Sequence, residues 1–137
     1  LPLILVTGGK EVSRLRLHAN TRILVDVPDE DLPAIYSCAS VFVSPSLLEG
    51  FNLPLLEAMA CGCPVIATAR GSTPEIAGGY ATLIEPTSGA LHHVLKNIPA
   101  VNVEGARVHA RTFSWETMAA KTADVYGSFL RHACHGG

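Results

Sequence analysis

The 137-residue chain has the length of one domain, and 48% hydrophobic against 16% charged residues favour a folded core over disorder. The net charge of −2 and the lack of a basic cluster argue against a nucleic-acid partner. No stretch approaches the roughly 20 apolar residues that cross a bilayer, and the apolar start is too short for a secretion signal, so we expect a cytoplasmic protein without a transmembrane segment.

Apolar runs alternate with helical patterns along the chain. The predicted strands are 3–6, 23–27, 41–43, 64–67 and 81–84. The predicted helices are 11–18, one opening at Pro28, one from Pro54 that stops at Gly62, a short one at Pro74, 87–97, 103–111 and one capped by Ser114. This order predicts an α/β fold with a Rossmann-like, doubly wound parallel sheet over 1–131, followed by a frayed tail at 132–137.

Three of these helices carry apolar residues at helical spacing, among them 87–97, with Leu91, Val94, Leu95 and Ile98 on one face. The helix opening at Pro28, with acids in its first turn, is predicted to bury Leu32, Ile35, Tyr36 and Ala39. The last helix is predicted to bury Met118, Thr122, Val125, Phe129 and Ala133. The short helix at Pro74 is predicted to be capped by Ser72 or Thr73.

The four cysteines and six histidines show no metal-ligand spacing, so we predict no metal site. Cys61 and Cys63 are separated by one residue, closer than an ordinary zinc-binding pair. We interpret them as reduced thiols near the end of a helix, with a redox pair as the alternative.

The most informative stretch is 44–67, SPSLLEGFNLPLLEAMACGCPVIA, which predicts a strand, a loop, a helix and a second strand. The helix start offers free N–H groups and a partial positive charge, and Gly50 allows a ligand close to the backbone, which together favour an anion such as phosphate. Carboxylates repel phosphate, so Glu49 and Glu57 are better suited to accept hydrogen bonds from sugar hydroxyls. The combination suggests a nucleotide-sugar. The alternatives are that Glu57 is a first-turn acid complementing the helix dipole and that Glu49 is a solvated loop carboxylate.

This stretch resembles the E-x7-E region of retaining, GT-B-fold glycosyltransferases of family 4. The matching residues are EGFNLPLLE at 49–57, AMACG at 58–62 and PVIA at 64–67. The similarity continues in register on both sides, through ILVDVPDEDLPAIYSCASVFVSPS before the motif and GSTPEIAGG, ATLIEP and FSWETMAAKTADVY after it.

The resemblance implies one half of a GT-B fold, the C-terminal domain that binds a UDP-, GDP- or ADP-sugar without a metal or other cofactor. It implies that Glu49 contacts the transferred sugar as the catalytic carboxylate and that Glu57 binds ribose. Backbone groups of Gly50, Phe51, Asn52 and Leu53 would then meet the distal phosphate and sugar. The turn at Val27 would read the base. Gly8 and Gly9 either contact the donor or form a plain turn.

The chain also departs from the family pattern. The N-terminal acceptor domain is missing, and so is the first strand of the donor domain, whose Arg and Lys grip the diphosphate; Lys10 and Arg70 are the nearest local candidates. Asn52 replaces a usual Gly, so we expect its side chain to crowd or contact the sugar. Without the first strand, 3–6 becomes an exposed apolar edge, which predicts a homodimer.

Two other functions remain compatible with the sequence. One is a non-catalytic nucleotide-sugar-binding or interaction module, because half of the expected enzyme is missing. The other is a domain of the sugar-nucleotide 2-epimerases that share the fold. The late block FSWE at 113–116 favours a transferase.

Overall fold

The computed structural model describes residues 2–8 and 18–133, the last three by their backbone alone. Its strands are β1 (Leu3–Thr7), β2 (Thr21–Val25), β3 (Phe42–Ser44), β4 (Val65–Thr68) and β5 (Thr82–Ile84). Its helices are α1 (Leu32–Cys38), α2 (Leu53–Ala60), α3 (Thr73–Ala77), α4 (Ser88–Lys96), α5 (Val103–Ala110) and α6 (Trp115–Ala133). The predicted helix over 11–18 falls, except for its last residue, outside the described part.

The paired strands are parallel throughout. β1 pairs with β2, and β3, β4 and β5 form a second sheet in that order, with Val43 opposite Ile66 and Ala67 opposite Leu83. Every residue of the central strand β4 is buried, which is typical of a parallel strand covered on both faces. The predicted α/β class with parallel strands is confirmed, although the described strands form two hydrogen-bonded sheets and not one.

Helix α2 forms the centre of the core. Its inward residues are almost wholly buried: Leu55, Leu56, Ala58 and Met59. Helix α5 packs against it through two small buried residues, Ala106 and Ala110. The predicted stop is confirmed, because Gly62 follows the helix in the left-handed region at φ 77°. A side chain at position 62 would collide with the guanidinium of Arg107.

The prediction for β2 and α1 was wrong at their shared boundary. β2 begins at polar Thr21, because it pairs with β1, and it ends at Val25, because Asp26 takes a left-handed backbone at φ 49°. Val27 therefore lies in the following turn. α1 begins after its N-cap Asp31 and has its proline, Pro33, in the first turn, so the segment 28–31 precedes the helix. The predicted inner face of α1 is half-buried at Leu32, Ile35, Tyr36 and Ala39.

The prediction of a buried stripe on α6 was also wrong. Met118 is 52%, Val125 65% and Phe129 76% exposed, because no described element covers this face of the helix. Helical spacing identifies an apolar face but not a partner for it. The cap was predicted correctly: the Ser114 hydroxyl accepts a hydrogen bond from the N–H of Thr117 at 3.1 Å.

Strand β1 is an exposed apolar edge, as predicted. Among the described strands it pairs only with β2, and Leu3, Ile4 and Val6 are between 41% and 57% exposed. This surface is open to pairing with another strand. Dimer formation itself stays a prediction.

Three cysteines lie in the described part, and all three are free thiols. Cys63 is buried, with its sulfur 3.5 Å from the carbonyl oxygen of Pro64, while Cys38 is exposed. Burial raises the pKa of the Cys61 and Cys63 thiols. Within residues 2–8 and 18–133, no three His, Cys, Asp or Glu side chains converge as metal ligands, and no helix has the length and apolarity to cross a membrane.

Candidate functional site

The loop that holds Glu49 connects β3 to α2 at the carboxyl end of the three-stranded sheet. Ligands of open parallel sheets bind at this end. A depression of about 330 Å³ opens here. Its lining includes Ser44, Pro45, Leu47, Thr68, Ile84 and Leu91. A larger depression, about 490 Å³, lies beside Pro2 and Asn20 at the opposite, amino-terminal end of β1 and β2. We place the candidate site at the carboxyl end, because only that end is adjacent to the motif loop.

Asn52 determines the shape of this loop. It has a left-handed backbone, at φ 66°, which asparagine tolerates better than most residues, and only 4% of it is exposed. Its side-chain Nδ2 donates hydrogen bonds to the Ser44 hydroxyl at 3.2 Å and the Thr73 hydroxyl at 3.1 Å. The expectation that this side chain crowds or contacts a sugar is therefore wrong, because the amide points into the protein.

The positions on either side of Asn52 are exposed, Phe51 by 43% and Leu53 by 45%. Phe51 packs edge-to-face on Phe113, with 5.9 Å between ring centroids. Gly50 is exposed, and a Cβ added to it would meet nothing within 4 Å. Asn52 does not cap α2 with its own side chain. The predicted residues Gly50, Phe51, Asn52 and Leu53 thus lie together at the start of α2, where the exposed side chains of Phe51 and Leu53 share the surface with the backbone at Gly50.

Glu49 is half-buried at the start of this turn. Its backbone carbonyl accepts a hydrogen bond from the Ser72 hydroxyl at 3.1 Å. Ser72 is the N-cap residue of α3, but its hydroxyl does not cap that helix, so neither Ser72 nor Thr73 fills the predicted capping role. Both hydroxyls contact the Glu49–Asn52 turn instead.

Glu57 lies in the second turn of α2 and is exposed. The first turn contains no acid, so the interpretation of Glu57 as a helix-dipole residue is wrong. The hydroxyl of Tyr36 on α1 donates a hydrogen bond to Glu57 Oε2 at 3.0 Å. Burial, followed by the Glu57 carboxylate, raises the pKa of Tyr36, so this phenol remains a donor. The contact fixes the carboxylate on the side of α2 that faces α1.

Two other predicted residues lie at the carboxyl ends of β1 and β2. The Thr7 carbonyl accepts a hydrogen bond from the Asp26 N–H at 3.1 Å, which brings Gly8 next to the turn that contains Val27. Gly8 is exposed and Val27 half-buried. Gly9 lies outside the described residues, so its predicted role stays untested.

Of the two cationic candidates for diphosphate binding, the structure describes Arg70 and not Lys10. Arg70 forms an ion pair with Glu85, with 2.8 Å between Nη2 and Oε2, so a diphosphate would compete with a carboxylate for this guanidinium. Lys10 lies outside the described residues. Of the two candidates, the one that the structure describes is thus a paired, exposed arginine.

Sequence reasoning missed the side chains that support the two glutamates. Tyr36 appeared only as part of a helical stripe, and Ser72 and Thr73 only as caps. Their contacts join residues 21 to 23 positions apart. A weak signal was available in the hydroxyl residues at 68, 72 and 73, which follow a buried strand toward the ligand-binding edge.

Comparisons with known proteins agree with this geometry. Residues 8–98 match the family model described as "Glycosyl transferases group 1". The O-antigen chain mannosyltransferase B of Escherichia coli is 38% identical over 112 residues, covering 77% of this chain and 29% of the relative. The chain therefore spans less than a third of that protein.

Two solved structures show the fold. Sucrose-phosphate synthase from Thermosynechococcus elongatus superposes with a TM-score of 0.74 at 26% identity, over 96% of this chain and 39% of the other. HepE of Anabaena, in complex with UDP-glucose, gives a TM-score of 0.67 at 21% identity, over 91% of this chain and 40% of the other. Such neighbours are GT-B glycosyltransferases, in agreement with the α/β architecture. The family match covers more than half of the sequence, and the chain belongs to the glycosyl transferases group 1 family.

Proposed function

We propose that the chain is the C-terminal, donor-binding domain of a retaining family 4 glycosyltransferase, which transfers a hexosyl group from a nucleotide-sugar to an acceptor. The observation that carries the proposal is the turn at 49–53, whose backbone is open at Gly50 and whose Asn52 side chain is turned into the protein. Asn52 is bonded into the protein and Phe51 is packed on Phe113. Backbone groups and the Glu49 carboxylate are left to meet a ligand.

A diphosphate fits the start of α2. The N–H groups of a first helical turn attract anions, and the Asn52 side chain does not occupy them. The open space at Gly50 permits an oxyanion to approach the backbone. Developing charge on the leaving diphosphate would be stabilised by these fixed dipoles. This supports phosphate binding by the protein backbone without a metal ion.

The two carboxylates fit the sugar hydroxyls on either side of that diphosphate. Glu49 immediately precedes the phosphate turn, and we assign it to the transferred hexose. Glu57 is exposed on the next turn of α2 and keeps acceptor capacity beyond its bond to Tyr36, and we assign it to ribose. The mannosyltransferase relative and the UDP-glucose-bound structural neighbour are consistent with a hexose donor.

The experiment is a comparison of Glu49→Gln and Glu57→Gln, each titrated by NMR with UDP, GDP and ADP and with UDP-glucose, GDP-mannose and ADP-glucose. We expect millimolar affinity at best, because Arg70 is already paired with Glu85 and a charge-assisted contact contributes roughly 1.5–3 kcal/mol. Glu57→Gln should weaken diphosphate and nucleotide-sugar equally. Glu49→Gln should reduce only the additional affinity that the sugar provides.

Three results would count against the proposal. Equal losses for both ligand types in Glu49→Gln would remove Glu49 from the sugar site. A wild-type chain that binds none of the six probes would favour a non-catalytic interaction module. Sugar transfer by the isolated chain would contradict the need for an acceptor domain, which we expect to orient the nucleophile and to account for roughly 7–11 kcal/mol of the barrier.

A further inference from the structure

Hydroxyl side chains from the last residue of β4 to the first residue of α3 contact successive parts of the 46–52 loop. The Thr68 hydroxyl donates a hydrogen bond to the backbone carbonyl of Ser46. Four residues later, the Ser72 hydroxyl donates to the carbonyl of Glu49. These bonds fix the loop backbone at its beginning and at its functional carboxylate.

The third contact is with a side chain. The Thr73 hydroxyl accepts the hydrogen bond from Asn52 Nδ2 at 3.1 Å, and Thr73 is only 1% exposed. Thr68 is 3% exposed. Water therefore competes little for these two hydroxyls, and a hydrogen bond in such surroundings is electrostatically stronger than one in water. We call Thr68, Ser72 and Thr73 together the hydroxyl clasp.

Gly71 gives independent evidence that the segment from Thr68 to Thr73 lies directly against the Glu49 backbone. A Cβ built on Gly71 would approach the Glu49 carbonyl oxygen to 3.1 Å and its nitrogen to 3.4 Å. Gly71 also has a left-handed backbone, at φ 57°. A side chain here would push the Glu49 backbone outward, so the close approach depends on glycine.

We propose that Thr68, Ser72 and Thr73 are positioning residues, which hold the 46–52 loop and thereby aim the Glu49 carboxylate at the sugar of a bound donor. The inference rests on the proposed function for its ligand, but the packing of the loop is independent of any ligand. The clasp residues touch the loop and are not assigned a contact with the donor. Loss of the Ser72 hydroxyl, which contacts Glu49 itself, should therefore change sugar recognition more than diphosphate recognition.

The first test is ¹⁵N relaxation of the backbone amides of residues 49–53 in the 137-residue chain. Ser72→Ala removes the bond to the Glu49 carbonyl and should lower the order parameters of this segment from about 0.85, typical of rigid backbone, toward about 0.6. Ser72→Thr restores a hydroxyl and should return the order parameters to wild-type values. The matched control for lost stability is Asn102→Ala, which removes the cap of α5 (a bond of 2.8 Å to the Gly105 N–H) and should leave the order parameters of 49–53 unchanged.

A glycine pair tests the same contact from the backbone. Gly71 and Gly79 both have positive φ, at 57° and 84°, but a Cβ on Gly79 would meet nothing within 4 Å. Both Ala variants carry backbone strain, whereas only Gly71→Ala displaces Glu49. We expect Gly71→Ala to shift the amide resonances of 49–53 and Gly79→Ala to leave them in place.

The second test separates the clasp from the proposed function. In titrations with UDP-glucose, GDP-mannose, ADP-glucose and the three diphosphates, Ser72→Ala should lose the affinity increment of the sugar and keep diphosphate affinity within about twofold. Equal losses for both ligand types, or unchanged order parameters in 49–53, overturn the positioning role. If the wild-type chain binds no donor, the proposed function is wrong, and so is the proposed orientation of Glu49 toward a sugar. The relaxation measurements and the glycine pair still decide whether Thr68, Ser72 and Thr73 hold the loop.

Discussion

Replacing Asn52 tests the structural centre of the site. Asn52→Ala removes two hydrogen bonds at a position that is 4% exposed, and each such bond contributes about 0.5–1.5 kcal/mol. Alanine also tolerates φ 66° poorly, which costs about 1 kcal/mol more. We therefore expect Asn52→Ala to lower the free energy of unfolding by about 2–4 kcal/mol. Asn52→Gly loses the same bonds but avoids the strain, so its cost should be about 1 kcal/mol smaller.

The assay is urea denaturation followed by far-ultraviolet ellipticity. The free energy of unfolding must fall with urea concentration at the same slope in the wild type, Asn52→Ala and Asn52→Gly. Asn102→Ala is the matched control, because it removes one exposed capping bond of an asparagine away from the loop, at a cost of roughly 0.5–2 kcal/mol. An Asn52→Ala cost below about 0.5 kcal/mol would refute the two buried bonds. A glycine variant less stable than the alanine variant would refute the left-handed backbone.

Three further predictions concern other parts of the chain. Tyr36→Phe removes the hydrogen-bond donor to Glu57 and should weaken nucleoside diphosphate binding severalfold in NMR titrations, while the far-ultraviolet spectrum stays as in wild type. An unchanged affinity would show that the Tyr36–Glu57 contact does not contribute to ligand binding. Light scattering should detect self-association of the wild-type chain, and Ile4→Lys should reduce it, because a charge on the edge of β1 opposes strand pairing. A wild-type chain that stays monomeric over about a hundredfold range of concentration would contradict this prediction. At pH 8 a thiol reagent should label Cys38 well before Cys63, because burial raises the pKa of Cys63 and less thiolate is present; equal rates would argue against the buried position.

Local sequence patterns predicted the elements around the site well. β4 is a short apolar run between turn residues, and α2 has a proline in its first turn and Gly62 after its end, so each carries its own boundary signals. The boundary of β2 was harder, because Thr21 joins the strand by pairing with β1 and not by its own apolarity. Strand pairing depends on two segments, so the sequence of one segment alone does not reveal it.

The residues of the site could be predicted from the sequence, but the side chains that hold them in place could not. The spacing of Glu49 and Glu57 and the glycine between them identify a motif, whereas the inward direction of Asn52 depends on a hydroxyl 21 positions later. The exposed face of α6 shows the same limitation, since periodicity specifies which residues share a face and not what covers it. Long-range contacts therefore account for most of what the sequence could not reveal.

The division of the strands between two sheets has a consequence for how the chain loses its structure. No hydrogen-bond ladder joins the β1–β2 pair to β3–β5 in the described part, and β1 is largely exposed while β4 is buried throughout. Segments with few buried contacts open in local fluctuations far below the cost of global unfolding. Proteases should therefore nick the β1–β2 pair first and leave β3–β5 with α2 as a resistant fragment. The motif loop belongs to that fragment and should outlast the first two strands.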